Sequence, residues 1–419
     1  MSRPAAAPGL LANGREFLSI PGPSVIPDRV LQAMNRPAIN IYEGDIVEIT
    51  QSILRDLRRV ARTEARPFIY ISNGHGAWEA AITNTLSRGD RVLVLESGRF
   101  AVGWGENAKA LGVEVEVLHA TPGAAVDPEA VEARLREDRA HAISAVMVVQ
   151  VDTASSVRND IAAIRRAIDA AGHPALYMVD VIASQGCIPY EMDAWGVDVT
   201  VGGAQKGLMT PPGLAFCWAN ARALAAEGAA DLRTQYWSWA GRSGGEQYQN
   251  FAGTAPIHLL FALREALDML AEEGMEAVWA RHAALARAAR AAVAAWSSEG
   301  PLSFHVADPA HRADSVTTVR VATEGPDAAD PEALRAFCRD ELGLVLGTAL
   351  GPLSGKAFRI GHMGWLNAPM LMGTLGAAQA GMAACGVRFG GGALEAAAAE
   401  IAATFAGRVA VKDAANRAA

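Results

Sequence analysis

A lysine among small residues, Lys206 in the run Gly202-Gly203-Ala204-Gln205-Lys206-Gly207, is the first candidate for chemistry. It follows the β-rich run VDVTV, and glycine neighbours let backbone approach its side chain closely. Such an amine suits covalent attachment to an aldehyde. The plain alternative is a solvated lysine at a turn. Asp180 lies 26 positions earlier, at the end of the apolar run ALYMV. A carboxylate at a buried strand end needs a cationic partner, because burial otherwise favours its protonated form. Its own plain alternative is a cap for the next turn. Two consecutive strand ends would bring Asp180 and Lys206 into one crevice.

Together the pair suggests pyridoxal phosphate, with Asp180 facing the ring nitrogen and Lys206 the aldehyde. A phosphate then requires a helix N-terminus, where unpaired N–H groups and the macrodipole favour an anion. In ISNGHGAWEAAITNTL a strand ends at Ile71, Asn73-Gly74-His75-Gly76 forms a turn, and a helix is expected from Ala77. A plain turn with a polar His75 fits the same residues. Phe100, after RVLVLES and Gly98-Arg99, is a candidate to stack on the ring, and equally a core aromatic. Arg359 in AFRIGHMG is flanked by apolar residues. It suits a fork that grips a substrate α-carboxylate, with a structural ion pair as the competing role.

The elements that must position these groups alternate. Strands are expected at 68–71, 91–97, 113–119, 143–149, 175–181, 197–203 and 214–219, several as continuous apolar runs of the kind covered on both faces. Helices are expected between them, among them 127–137 and 159–172, the second capped by Asn159-Asp160 and closed by Gly172. This predicts an α/β fold with a mainly parallel sheet. After Thr254 the pattern changes to long helices over 257–274 and 275–296, then strand-like 315–321 and 358–364 and an alanine-rich helix near 393–406. The predicted division is an N-terminal arm over 1–17, a large domain over 18–275 and a smaller α+β domain over 276–419, since 419 residues exceed one compact core.

Composition narrows the function classes. A net charge of −8 argues against nucleic acid as a partner, which calls for a basic footprint. Four separated cysteines, Cys187, Cys217, Cys338 and Cys385, form no CxxC pair, so neither a zinc site nor a disulfide framework is expected. No apolar run approaches the roughly 20 residues of a membrane span. A soluble, cytoplasmic protein with reduced thiols is the expectation.

Over residues 20 to about 392 the chain resembles the class V, fold-type I pyridoxal-phosphate aminotransferases, in particular the serine/alanine–glyoxylate group with its aspartate–glyoxylate members. The resemblance is carried by GAWEAAITNTLSRGDRVLV, AQKGLMTPPGLAF, GMEAVWARH and KAFRIGHMG. It implies that Lys206 bonds to the cofactor and then moves the substrate Cα proton, and that Asp180 pairs with the pyridine nitrogen. It implies further that Thr153 lies near the ring oxygen, Phe100 stacks on the ring, and Asn73, Gly74, His75 and Gln205 form the phosphate cup. Thr254 in FAGTAP would reach the phosphate of a neighbouring subunit, which implies a homodimer with shared sites. Arg359 would bind the substrate carboxylate. The implied reaction moves an amino group from a small amino acid of serine, alanine or aspartate type to a small 2-oxo acid such as glyoxylate.

The chain departs from that pattern at Gln150-Val151-Asp152-Thr153 and at Tyr42-Glu43. The related pyridoxamine–pyruvate aminotransferases share similar DT and RIGHMG pieces, but their extra arginine aligns with Leu350. Trp237 and Trp239 suit either a tight substrate entrance or interface packing. A cysteine desulfurase would need Cys338 as nucleophile, a hydrolase would use the GRSGG of 241–245, and a nucleotide site would use GPLSGK of 351–356. A purely binding homologue is the remaining rival.

Overall fold

The structure is a computed structural model that describes residue 9 and residues 11–406. Its contacts divide the chain into two compact units. The larger comprises Gly22–Trp279 with Val306–Arg312; the smaller comprises the described residues up to Pro21, Ala280–His305 and those from Ala313 onward.

The larger unit is built on a seven-stranded sheet. Its strands run in the spatial order Arg66–Ser72, Gly213–Ala219, Val199–Gly203, Leu176–Asp180, Ile143–Val149, Arg91–Leu95 and Glu114–Leu118. All pairings from Val199–Gly203 to Glu114–Leu118 are parallel. Gly213–Ala219 is antiparallel to both of its neighbours. The continuous apolar runs have the expected cause: Val146, Val148, Val179 and Leu93 face one buried layer, while Ala145, Met147, Met178 and Val92 face the other. Alternate side chains leave opposite faces of a strand, so a strand covered twice needs apolar residues at every position.

The helix expected over 159–172 starts where local chemistry predicts, with one difference. Ile161–Ala170 is capped by Asp160, whose side chain accepts from Ala163 N at 2.9 Å. Asn159, read as a second capping residue, is instead buried. Its side chain donates to Val149 O at 2.7 Å and Ser97 Oγ at 2.9 Å and accepts from Val126 N at 2.9 Å. It ties three connections together beside the sheet.

The smaller unit holds a five-stranded sheet in the order Phe17–Ser19, Leu344–Thr348, Ala357–Gly361, Val316–Val321 and Leu302–Phe304. Phe17–Ser19 adds in parallel to Leu344–Thr348, and the remaining pairings are antiparallel. Helices Pro331–Leu342 and Ala368–Ala384 cover it with Leu334, Cys338, Leu371 and Leu375. Pro331–Leu342 has proline in its first turn, Asp330 capping Glu332 N at 2.8 Å, and Gly343 at φ 67° ending it. Proline loses no helical bond there, and glycine accepts the left-handed turn without strain. Among the described residues no helix is long and apolar enough to cross a membrane.

Candidate active site

The parallel strands of the larger unit converge their C-terminal ends on a cavity of about 180 Å³. Asp180, the last residue of its strand, lines it together with Lys206, which follows Val199–Gly203. Asn73, Gly74, His75, Phe100, Thr153 and Gln205, all singled out by the sequence, also line it.

The Asp180 carboxylate is buried, and two N–H groups hold it. Trp78 Nε1 donates to Oδ2 at 2.6 Å, and Ile182 N donates to Oδ1 at 2.7 Å. Burial dominates these donors and pushes the carboxyl up to about 7, with the Asp152 charge adding to the rise and the Lys206 charge opposing it. A carboxyl so poised gains from any cation that enters the cavity.

Lys206 sits in a loop pinned from several sides. Ser24 Oγ donates to Lys206 O at 2.7 Å, and Ser24 N donates to Gln205 O at 2.9 Å. Thr210 Oγ1 closes the turn onto Ala204 O at 3.0 Å. Gly22, at φ 94°, packs directly on the lysine side chain, where any Cβ would overlap its aliphatic carbons and Nζ. Gly207 likewise leaves room for the Gln185 carbonyl. Glycine is thus needed here for close approach as well as for turning.

The expected turn at 73–76 is already helix. Gly74–Thr85 begins one residue after Asn73, which caps it by accepting from His75 N at 3.1 Å. The side-chain cap makes a helical first turn out of two glycines and a histidine that propensity alone disfavours. A Cβ on Gly74 would overlap Ile182, so the helix N-terminus meets the opposite wall at contact distance. Gln205 Oε1 is buried with no hydrogen-bond partner among the described residues.

Phe100 lies in the first turn of the helix Arg99–Ala110. Asp152 holds that turn: its Oδ2 accepts from Phe100 N at 2.8 Å and Ala101 N at 3.1 Å, while Oδ1 accepts from Ala154 N at 2.9 Å. A Cβ on Gly98 would overlap the same carboxylate. The sequence reading assigns no role to Asp152 or Trp78. The signal for Trp78 is an indole three residues beyond His75, on one helix face, whose N–H requires an acceptor once buried. Gly22 and Ser24 had no such signal, being distant in sequence.

Two predicted residues are not among this lining. Thr254 is exposed in the segment before the helix Ile257–Glu273. Arg359 belongs to the smaller unit, in the middle of Ala357–Gly361, where it is 6% exposed and its Nε donates to Thr348 O at 2.6 Å. The turn that follows is clamped by Arg281, which donates to Gly364 O and Leu366 O at 3.0 Å each, and by His282 Nε2, which accepts from Gly364 N at 3.0 Å. His362 is buried against Thr317 and the Asp314 carbonyl, and burial lowers its pKa to about 3, so it is neutral.

The rival motifs do not form sites. Ser243 Oγ donates to Trp239 O at 2.7 Å, with no strand leading into it. Gly351–Leu353 is a short 3-10 turn followed by a strand rather than a helix. Cys338 is buried on its helix, and burial pushes its thiol up to about 12. Trp239 is core, stacked on Phe68 at 5.5 Å with Nε1 donating to Tyr70 Oη at 2.9 Å. Trp237 packs edge-on against Tyr70 and Tyr236.

The α/β architecture is that of the fold-type I group-transfer enzymes. The model of the family Aminotransferase class-V matches residues 17–345. The chain belongs to that family and is an aminotransferase. It is 41% identical over 381 residues to the serine–glyoxylate aminotransferase of Methylorubrum extorquens, covering 90% of this chain and 93% of that one. It is 36% identical over 369 residues to the L-aspartate–glyoxylate aminotransferase of Paracoccus denitrificans, covering 88% and 91%. The crystal structure of pyridoxamine-pyruvate aminotransferase from Mesorhizobium loti superposes with a TM-score of 0.85 at 30% identity, covering 96% of this chain and 100% of that one.

Proposed function

We propose that the chain is a pyridoxal-5'-phosphate-dependent aminotransferase that takes the amino group of a small amino acid, of serine, alanine or aspartate type, and delivers it to glyoxylate. The observation that carries this reading is the Asp180–Lys206 pair lining one cavity, with the Asp180 carboxyl raised by its burial. The lining also fits the group's other features: a helix N-terminus and Gln205 for the phosphate, and Phe100 for a flat ring. Glyoxylate is the acceptor common to the names of the serine- and aspartate-using relatives.

Bound in the cavity, pyridoxal phosphate supplies an aldehyde to receive the amine and a ring that accepts electrons from the substrate Cα. Asp180, ionised against a ring N–H⁺, keeps that nitrogen protonated. Lys206 Nζ takes the Cα proton of the donor and returns a proton in the second half of the cycle. The first turn of Gly74–Thr85, with Asn73 and His75, holds the phosphate through its dipole and N–H groups. Thr153 orients the ring oxygen, and Arg359 grips the substrate carboxylate in a two-bond fork. Thr254 serves the phosphate of a second copy, so the working unit is a homodimer, and the cytoplasm is its compartment.

The test is formation of glycine from glyoxylate with single amino acids as donors, by protein loaded with the cofactor. Glycine formation with serine, alanine or aspartate is expected, and Arg359→Ala raises KM for the donor by roughly 10–100-fold, the loss of charge-assisted bonds at about 1.5–3 kcal/mol. An absence of glycine with every donor would sink the reading, and an unchanged KM would move the carboxylate site elsewhere.

A further inference from the structure

A second cavity of about 490 Å³ lies in the larger unit and shares no lining residue with the first. Three arginines, Arg55, Arg58 and Arg66, line it with Tyr42 and Gln51. Arg66 begins the strand whose other end, Ser72, leads into Asn73, so the two cavities stand roughly 20 Å apart along seven residues of strand.

The charge of this cavity is unbalanced. Among the described residues lining it, Glu246 is the single carboxylate, and its oxygen is engaged in capping the turn Gln247–Phe251. Arg66 donates to the Arg242 carbonyl at 2.9 Å, a neutral acceptor. Arg58 Nε is buried without a hydrogen-bond partner among the described residues. Burial, and after it the Arg58 charge, lower the affinity of Arg66 for its own proton, which places the two guanidinium groups within repulsive range. Two adjacent cations with an unused donor are stabilised by an anion that accepts from both. The three positive groups suit a polyvalent anion, and the volume suits a small metabolite rather than an extended chain.

We propose that this cavity binds a small polyvalent anion, carrying phosphate or carboxylate groups, at a site separate from the aminotransferase centre. It does not rest on the choice of amino donor or acceptor.

The experiment is isothermal titration of the full-length, cofactor-saturated protein at low ionic strength, with pyrophosphate in one arm and citrate in the other. Saturable binding by at least one probe, weakening as salt is raised, is expected. The stronger arm tells whether phosphate or carboxylate is preferred. Arg58→Gln should weaken binding by roughly 10–100-fold, the worth of one or two charge-assisted hydrogen bonds, and leave turnover unchanged. Arg55→Gln, at an exposed position, provides a second variant should Arg58→Gln fail to fold. No saturable binding in either arm would overturn the proposal. Equal binding by wild type and both variants would do so too, as would binding lost in Arg359→Ala. A shift in sedimentation of the variants without anion binding by wild type would assign the face to contact between copies, and would also overturn it.

Discussion

Replacing Trp78 by Phe removes one N–H and little bulk, so it isolates the bond that Trp78 Nε1 makes to Asp180 Oδ2 at 2.6 Å. A hydrogen bond to a charged group contributes about 1.5–3 kcal/mol, and one pKa unit corresponds to about 1.4 kcal/mol. The Asp180 carboxyl, already pushed up to about 7, should therefore rise by about one to two units in Trp78→Phe. The cofactor-free protein registers this directly. With its pKa raised in the fold above the ordinary value of 3.8, Asp180 binds its proton more tightly folded than unfolded. Its contribution to stability is therefore fullest at low pH, falls as pH rises from about 4 to about 7, and is flat above, a span of about 4 kcal/mol at most. In Trp78→Phe the decline continues to higher pH. Denaturant unfolding of the two cofactor-free proteins across pH 5–9 measures the difference, and infrared titration of the carboxyl stretch assigns it to Asp180. An identical midpoint and an identical pH profile in both proteins would refute the assignment of the indole as the group that holds the carboxylate charged.

Further predictions concern the other parts of the site. Lys206→Ala should lose multiple turnover by roughly 10²–10⁴-fold or more, the contribution of a positioned proton-transfer group; ordinary turnover would refute its role. Asp152→Asn keeps shape but replaces an acceptor of three backbone N–H groups with one able to donate. It should cost about 1–3 kcal/mol in thermal unfolding and reduce cofactor retention by releasing the turn that carries Phe100. Unchanged retention would show that the Phe100 turn holds its place without it.

Much of the fold was legible because the central strands of the large sheet are covered on both faces. Continuous apolar runs such as ISAVMVV have one low-energy placement, and the strand observed there spans Ile143–Val149 as expected. The long helices after Thr254 were legible for a related reason, since their apolar periodicity survives a change of partners. The start of the helix at Gly74 was less so. Glycine disfavours a helix intrinsically, and the decisive stabiliser is a single side-chain cap that spacing does not advertise.

The sequence by itself determined which residues carry charge or nucleophilicity at strand ends, Asp180 and Lys206 above all, because strand direction puts consecutive ends on one side of a parallel sheet. Only the tertiary structure decided what surrounds them. Trp78, 102 residues from Asp180, supplies its hydrogen bond, and Asp152, 52 residues from Phe100, anchors the helix turn that presents it. Gly22 presses on Lys206 across a separation of more than 180 positions. Such contacts depend on which surfaces meet once the sheet has closed. Local propensity cannot encode them, because the free energy that selects them comes from burying partners that are neighbours only in space.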